Sequence, residues 1–274
     1  MEKSLRDIEF EVIDGVLYCF GHNLTSLEGC PDFIKKIWCF NNQLTSLEDC
    51  PNSVTELYCY NNQLTSLVGC PENVTILICF DNQLTSLKGC PESVTELQCQ
   101  RNQITSLDGC PNSVKTLYCN DNQLISLNGC PESVTEVWCQ YNQLTSLNGC
   151  PESVKELDCY CNQLTSLEGL PESVTELNCK KNQVTSLEKL PDSVRILHCN
   201  FNLLNSTYAD KSLEEIHTIN RHIKKFRKGM NIVNNIILNH NARKIQKVWD
   251  GWWYKPNEQG ESRAAKRHYT RLFS

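Results

Sequence analysis

No stretch of the sequence is long and apolar enough to cross a bilayer. The greasiest segment near the C-terminus, MNIVNNIIL at 230–238, is interrupted by asparagines. The N-terminus, MEKSLRDIEFEVIDGVLYCF, lacks a basic start followed by a continuous apolar run, so no signal peptide is expected. Without export, the sequons at Asn23, Asn73 and Asn205 meet no glycosylation machinery. The expected location is intracellular, in a reducing compartment where structural disulfides are rare. A phosphate loop, a zinc-protease helix and a nucleophile elbow are also missing. The sequence therefore predicts no catalytic residues, no cofactor, no metal ligands and no small-molecule substrate.

What is present is a folded chain of 274 residues, 40% hydrophobic and 21% charged. Its net charge of −6 hides an asymmetry. Residues 203–274 carry 14 Lys and Arg against 6 Asp and Glu, a balance of +8, which leaves −14 on residues 1–202. An acidic body with a basic tail marks a domain boundary. The expected organisation is an N-terminal cap at 1–16, a repeat body at 17–206 and a basic helical tail or cap at 207–274.

The body is written in a twenty-residue unit. Aligned on Pro31, Pro51 and onward to Pro171, eight complete units read close to P-x-S-V-T-E-L-x-C-x-x-N-Q-L-T-S-L-x-G-C, with a partial unit on either side. A fixed period of this length means a solenoid, in which no unit buries its apolar face alone and each stacks on its neighbours. Alternation turns Leu57 and Cys59 inward and Tyr58 outward, so Leu57–Cys59 and its equivalents form short strands. Ten such triplets, from Leu17–Cys19 to Leu197–Cys199, stack into a parallel sheet. The asparagines Asn42 through Asn202 form a column whose amides satisfy backbone groups in the turn that leaves each strand. Pro and the short unit leave room only for extended or 3₁₀ turns on the return path. Asp14-Gly15 is a two-residue hairpin signal that pairs residues 9–13 antiparallel to the first repeat strand. The first unit departs from the rest, with His22 at the Asn position and Asp14 at the Val position.

Leu57, Cys59, Asn62, Leu64 and Leu67 fall on L-x-C-x-x-N-x-L-x-x-L, with Val54 before them, and this resembles the leucine-rich repeat signature over roughly residues 12–206. The short unit with its Pro-containing connection is most similar to repeats of type III secreted bacterial effectors. The PxSV wording and the tail are similar to leucine-rich repeat proteins of giant amoeba viruses. The resemblance implies a leucine-rich repeat solenoid of the α/β horseshoe class, used as a protein-binding scaffold.

The eighteen cysteines call for an explanation. One column runs from Cys19 to Cys199; the other runs from Cys30 to Cys150 and continues as Leu170 and Leu190. A slot that accepts Leu in the same chain is apolar, and a free cysteine behaves there as a small buried hydrophobe. In-register parallel side chains point the same way, which disfavours disulfides. Zinc needs convergent pairs, and the closest pair, Cys159 and Cys161, has no second pair beside it. Cys161 falls just after its strand and is expected to be the thiol that faces solvent.

The outward strand positions vary and are aromatic towards the N-terminus. Tyr18, Trp38, Tyr58, Ile78, Tyr118 and Trp138 occupy one column, and Phe20, Phe40, Tyr60 and Phe80 the column two residues on. These ten are the candidate partner-binding residues, because exposed aromatics on this scale exceed the apolar patch a monomer tolerates. The competing reading is that they stack along the solenoid for its own stability. Glu56, Glu96, Glu136, Glu156 and Glu176 add an acidic column that favours a basic protein partner over nucleic acid, or serves as a solvated edge.

After Asn205 the period ends. Ser212 and Glu215 form a capping box opening a helix with Ile216, Ile219, Ile223 and Phe226 on one face, and Gly229 is expected to close it before a second helix at 231–254. The tail then either caps the last repeat or binds separately. IQKVWDGWWYK at 245–255 looks like the IQ motif of calmodulin-binding helices: Ile245, Gln246, Gly251 and Lys255 match, and Asp250 replaces a basic residue. Some effectors with similar repeats append a cysteine-dependent ubiquitin ligase. The last cysteine here is Cys199, inside the repeats, so only an adaptor role in ubiquitin signalling would be open to this chain.

Overall fold

The computed structural model describes residues 2–254. A 3₁₀ turn at Leu5–Asp7 precedes eleven three-residue strands, and one α-helix, α1 (Leu213–Tyr254), follows them. The strands are β1 (Glu11–Ile13), β2 (Val16–Tyr18), β3 (Lys36–Trp38), β4 (Glu56–Tyr58), β5 (Ile76–Ile78), β6 (Glu96–Gln98), β7 (Thr116–Tyr118), β8 (Glu136–Trp138), β9 (Glu156–Asp158), β10 (Glu176–Asn178) and β11 (Ile196–His198). They form one sheet in sequence order. Neighbouring repeats pair in parallel with a register of twenty, so that Leu57 lies beside Leu77 and Tyr58 beside Ile78. The chain divides into two compact units, one ending at His217 and the other starting at Thr218.

β1 pairs antiparallel with β2 through Ile13 and Val16. Between them Asp14 (φ 51°) and Gly15 (φ 76°) both take the left-handed conformation that a two-residue hairpin requires. The strands begin one residue earlier than the alternation of Leu and Cys suggests. Cys59 N still donates to Ile78 O at 2.9 Å, but Cys59 O accepts the side-chain amides of Asn62 (3.0 Å) and Asn82 (3.1 Å), so the backbone pairing stops there.

That exchange recurs in every repeat from Asn42 onward. Asn62 Nδ2 donates to Cys59 O of its own repeat and to Cys39 O of the preceding one, while Leu44 N of the preceding repeat donates to Asn62 Oδ1 at 2.9 Å. One buried amide thus fills three backbone vacancies and binds two repeats together. Asn42 does the same for the irregular first unit, accepting from His22 N and Leu24 N, both at 3.0 Å. Inside the coil, Val54, Leu57, Cys59, Leu64 and Leu67 have no exposed surface.

The return path is extended, with two i→i+3 turns per repeat, such as Cys50 N to Leu47 O (3.0 Å) and Val54 N to Pro51 O (3.1 Å). Serine side chains tie these turns together. Ser93 Oγ donates to Val74 O at 2.6 Å, and Ser66 Oγ accepts from Val68 N at 3.1 Å. Gly69 (φ 88°) is required where repeats touch most closely, since a Cβ there would lie 2.8 Å from Glu48 N.

Both ends of the repeat unit are closed. Leu5 is buried, and Thr25 N donates to Lys3 O at 2.8 Å. At the other end Tyr208 and Ile216 are buried, and His217 Nε2 lies 3.1 Å from Val194 O. The capping box forms as the sequence suggests: Ser212 N donates to Glu215 Oε2 at 2.8 Å and Glu215 N to Ser212 Oγ at 3.3 Å. The expected break at Gly229 does not occur. The helix runs through it, because no proline follows and an isolated glycine in a helix costs only about 1 kcal/mol relative to Ala.

Candidate interaction surface

Alternation along each strand puts three columns of side chains on the outward face of the sheet, represented in the third repeat strand, β4, by Glu56, Tyr58 and Tyr60. In the first half these columns are aromatic stacks. Phe20, Phe40, Tyr60 and Phe80 lie face to face with centroids 4.6, 4.5 and 4.4 Å apart and planes within 11°. Tyr18, Trp38 and Tyr58 follow edge-on or tilted at 5.2 and 5.5 Å, and Trp38 also lies 6.3 Å from Phe40. The twenty-residue register produces this, since each ring repeats at the strand spacing of about 4.8 Å.

Stacking hides part of every ring. Phe20, at the end of its stack, is 44% exposed; Trp38, Phe40, Tyr58, Tyr60, Phe80, Tyr118 and Trp138 are half-buried, as is Tyr18. Ile78, also expected on this surface, is only 6% exposed. The structure therefore brings seven of the ten candidates into one continuous exposed patch across β2–β5 and their following turns. Tyr118 and Trp138 stand apart as a second stack with centroids 5.7 Å apart.

Lys36 Nζ lies 2.8 Å from Glu56 Oε1, and the Tyr58 hydroxyl donates to Glu56 Oε2 at 3.3 Å. The hydrogen bond to Glu56 raises the Lys36 pKa, and burial, followed by the charge of Glu56, raises that of Tyr58. Further along, Gln98 Nε2 donates to Glu96 Oε1 at 2.8 Å. Glu136, Glu156 and Glu176 then occupy consecutive strands, paired in register. Burial, with the charges of Glu136 and Glu176, pushes the Glu156 pKa up.

The cysteine columns point inward. Cys39, Cys59, Cys79, Cys99, Cys119, Cys139 and Cys159 have no exposed surface, and all eighteen cysteines are free thiols. Burial and then the neighbouring Cys30 push the Cys19 thiol up to about 12, and burial does the same to Cys70. Several thiols sit against the next strand's carbonyl, as Cys99 Sγ does 3.3 Å from Tyr118 O. These are neutral packing groups, poorly suited to attack or to metal binding. Cys161 is half-buried, but so are Cys30, Cys110, Cys130, Cys150 and Cys199, so exposure alone does not set it apart.

One feature of this site was not legible in composition. The residue after each outward column takes a left-handed backbone: Asn41, Asn61, Asp81, Arg101, Asp121, Tyr141, Cys161 and Lys181 all have φ between 49° and 56°. Asn and Asp accept that conformation readily; Tyr, Cys and Lys do not. Near the second half of the face, this geometry sets Tyr141 edge-on to Tyr160 at 5.2 Å, with Lys181 Nζ 5.3 Å from the Tyr160 ring. Ile245, Gln246 and Gly251 of the IQ-like segment lie on α1, and Lys255 lies outside the described residues.

No protein-family model and no curated protein sequence matches the chain. Solved structures do. YopM from Yersinia enterocolitica WA-314 is similar at 32% identity and a TM-score of 0.54, over 66% of this chain and 45% of YopM. The functional domain of InlJ from Listeria monocytogenes, which includes a cysteine ladder, is similar at 24% identity and a TM-score of 0.60, over 74% of this chain and 46% of that one. A chain from the octameric complex of Latrophilin 3, Unc5D and the leucine-rich repeats of FLRT2 matches at 21% identity and a TM-score of 0.57, over 72% of this chain and 77% of that one. This chain spans less than half the length of YopM and InlJ. It has the leucine-rich repeat fold, built from short repeats like those of the effector YopM.

Proposed function

We propose that this chain is a non-catalytic, intracellular scaffold that binds a protein partner on the outward face of its sheet. The observation that carries this reading is the aromatic patch over β2–β5. It presents ring surface outward, away from the leucine core and the asparagine column. Half-buried Trp and Tyr in a pre-organised stack are good anchors, since they are already ordered before a partner arrives. Seventeen free thiols in the two stacked columns, with Cys161 in a turn beside them, fit a reducing compartment.

The test is capture of partners from the native cell with the full chain, a Trp38→Ala/Tyr58→Ala variant and a control altered at exposed Glu132. Circular dichroism shows that all three are folded. Partners lost with the aromatic variant alone support the reading, and equal capture by all three removes it.

A second reading is favoured by the continuity of α1 through Ile245, Gln246 and Gly251. In that reading the IQ-like segment, with Lys255, takes a calmodulin-type partner; titration with calmodulin with and without calcium decides it. An adaptor role in ubiquitin signalling, without a catalytic domain of its own, would be one use of the outward face.

A further inference from the structure

We infer that the second half of the outward face, over β8–β10, is a docking site for a cationic polypeptide segment, one presenting several Lys or Arg side chains in extended form. The inference rests on the outward-face reading above and gives that partner a chemistry.

One column of the outward face differs between its two halves. In the first half no carboxylate stands beside another: Glu56 pairs with Lys36 at 2.8 Å, and Glu96 lies between Ile76 and Thr116 of the neighbouring strands. In the second half three glutamates stand side by side, Glu136 against Glu156 and Glu156 against Glu176. Parallel pairing sets neighbouring strands about 4.8 Å apart, where like charges destabilise a sheet. Among the described residues no Lys or Arg forms an ion pair with any of the three. Glu156 registers the crowding as a pKa pushed up by burial and by both neighbours. A solvated edge would intersperse opposite charges, as Lys36 beside Glu56 does.

The same strands, together with β11, form a concavity of about 180 Å³ lined by Trp138, Glu156, Asp158, Glu176, Asn178 and His198. Asp158 is held in place, accepting from Tyr160 N and from Asn178 Nδ2, both at 3.0 Å. Trp138 is part of the lining, and indole is the side-chain ring that attracts cations most strongly. A cationic side chain laid there meets carboxylates on consecutive strands and an aromatic wall. An extended segment crossing the strands would place further cations against the other glutamates.

The test uses fluorescein-labelled octalysine, with octaglutamine as the neutral control, and fluorescence anisotropy on the full chain at about 0.1 M salt, where screening is moderate. Octalysine should bind, octaglutamine should not, and Glu136→Gln/Glu156→Gln/Glu176→Gln should weaken binding by about tenfold, the product of three modest charge contacts. Glu132→Gln/Glu152→Gln/Glu172→Gln removes the same charge from exposed turns of the same three repeats and should change binding by less than about twofold. Trp138→Ala should cost about threefold, the scale of one cation–π contact. Equal losses in the two glutamate triples would mean diffuse attraction to an acidic body, and that overturns the site. Absence of octalysine binding to the full chain overturns it as well. Either failure leaves the aromatic reading standing if partner capture still depends on Trp38 and Tyr58, so the two claims fail separately.

Discussion

The first four repeat strands and the strands β8–β10 share one backbone and one core yet present opposite chemistries. At β2–β5 the twenty-residue register is used to stack rings, and the one acidic group there is paired with Lys36. At β8–β10 the same register lines up glutamates that repel. The halves differ again at the left-handed position, with Asn41, Asn61 and Asp81 in the first and Tyr141, Cys161 and Lys181 in the second. A repeat that is uniform inside leaves its outside free to vary, and here it varies from self-stabilising to self-opposing.

Both halves rest on one interior, and substitutions there should have the largest effects and should cost the two halves alike. Asn62→Ala and Asn162→Ala each remove three buried hydrogen bonds to backbone, so both should lower the unfolding free energy by about 2–4 kcal/mol. Urea denaturation should show nearly equal losses, and a clear inequality would mean the core is not uniform. Next in size is Phe40→Ala, which removes two ring stacks and should cost about 1–3 kcal/mol, whereas Gln140→Ala at the equivalent position should cost less than about 0.5 kcal/mol. Equal costs would show that the aromatic stacks add nothing to the fold.

Smaller still, Cys161→Asn should stabilise by about 1 kcal/mol by placing a residue that tolerates φ 55°, with Asn61→Cys losing a similar amount. Thermal melts of the two variants provide the check. The smallest effect belongs to Glu156→Gln. Its carboxylate pKa is raised in the folded chain, so the folded state is disfavoured as pH rises through the unfolded value near 4.3 and beyond it. The substitution should therefore give a small rise in Tm at pH 7 that disappears below about pH 4. A rise that persists in acid would have to come from something other than the charges of Glu136 and Glu176.

Much of this architecture can be read from the letters. The period fixes the register, Leu57 and Cys59 mark the inner face, and Leu170 standing where other units have Cys identifies that slot as apolar. The Asn column was legible because a polar residue recurring inside an apolar pattern must be meeting backbone needs. Other features were hidden for physical reasons. The left-handed turn carries Arg101, Tyr141 and Lys181, residues with no preference for it, and a backbone bond to the next repeat, such as Arg101 N to Asn120 O at 3.0 Å, holds it there. Ser93 and Ser66 read as generic loop polarity, although each makes a specific bond between or within repeats. Gly229 reads as a stop signal, but without a following proline the helix continues. On the outward face the sequence named the aromatic residues but could not weigh exposure, and Ile78 proved to be covered.

Because Asn62 reaches back to Cys39 and Leu44 rather than only to its own strand, each unit is fastened to its predecessor by a joint that is the same everywhere. Excision or duplication of any whole twenty-residue block would present the next asparagine with an equivalent carbonyl and amide. The length of such a coil can then change in whole steps of one strand spacing, about 4.8 Å, without redesign of a single joint. Insertions of any other size would leave two side-chain amides and the groups they serve without a match.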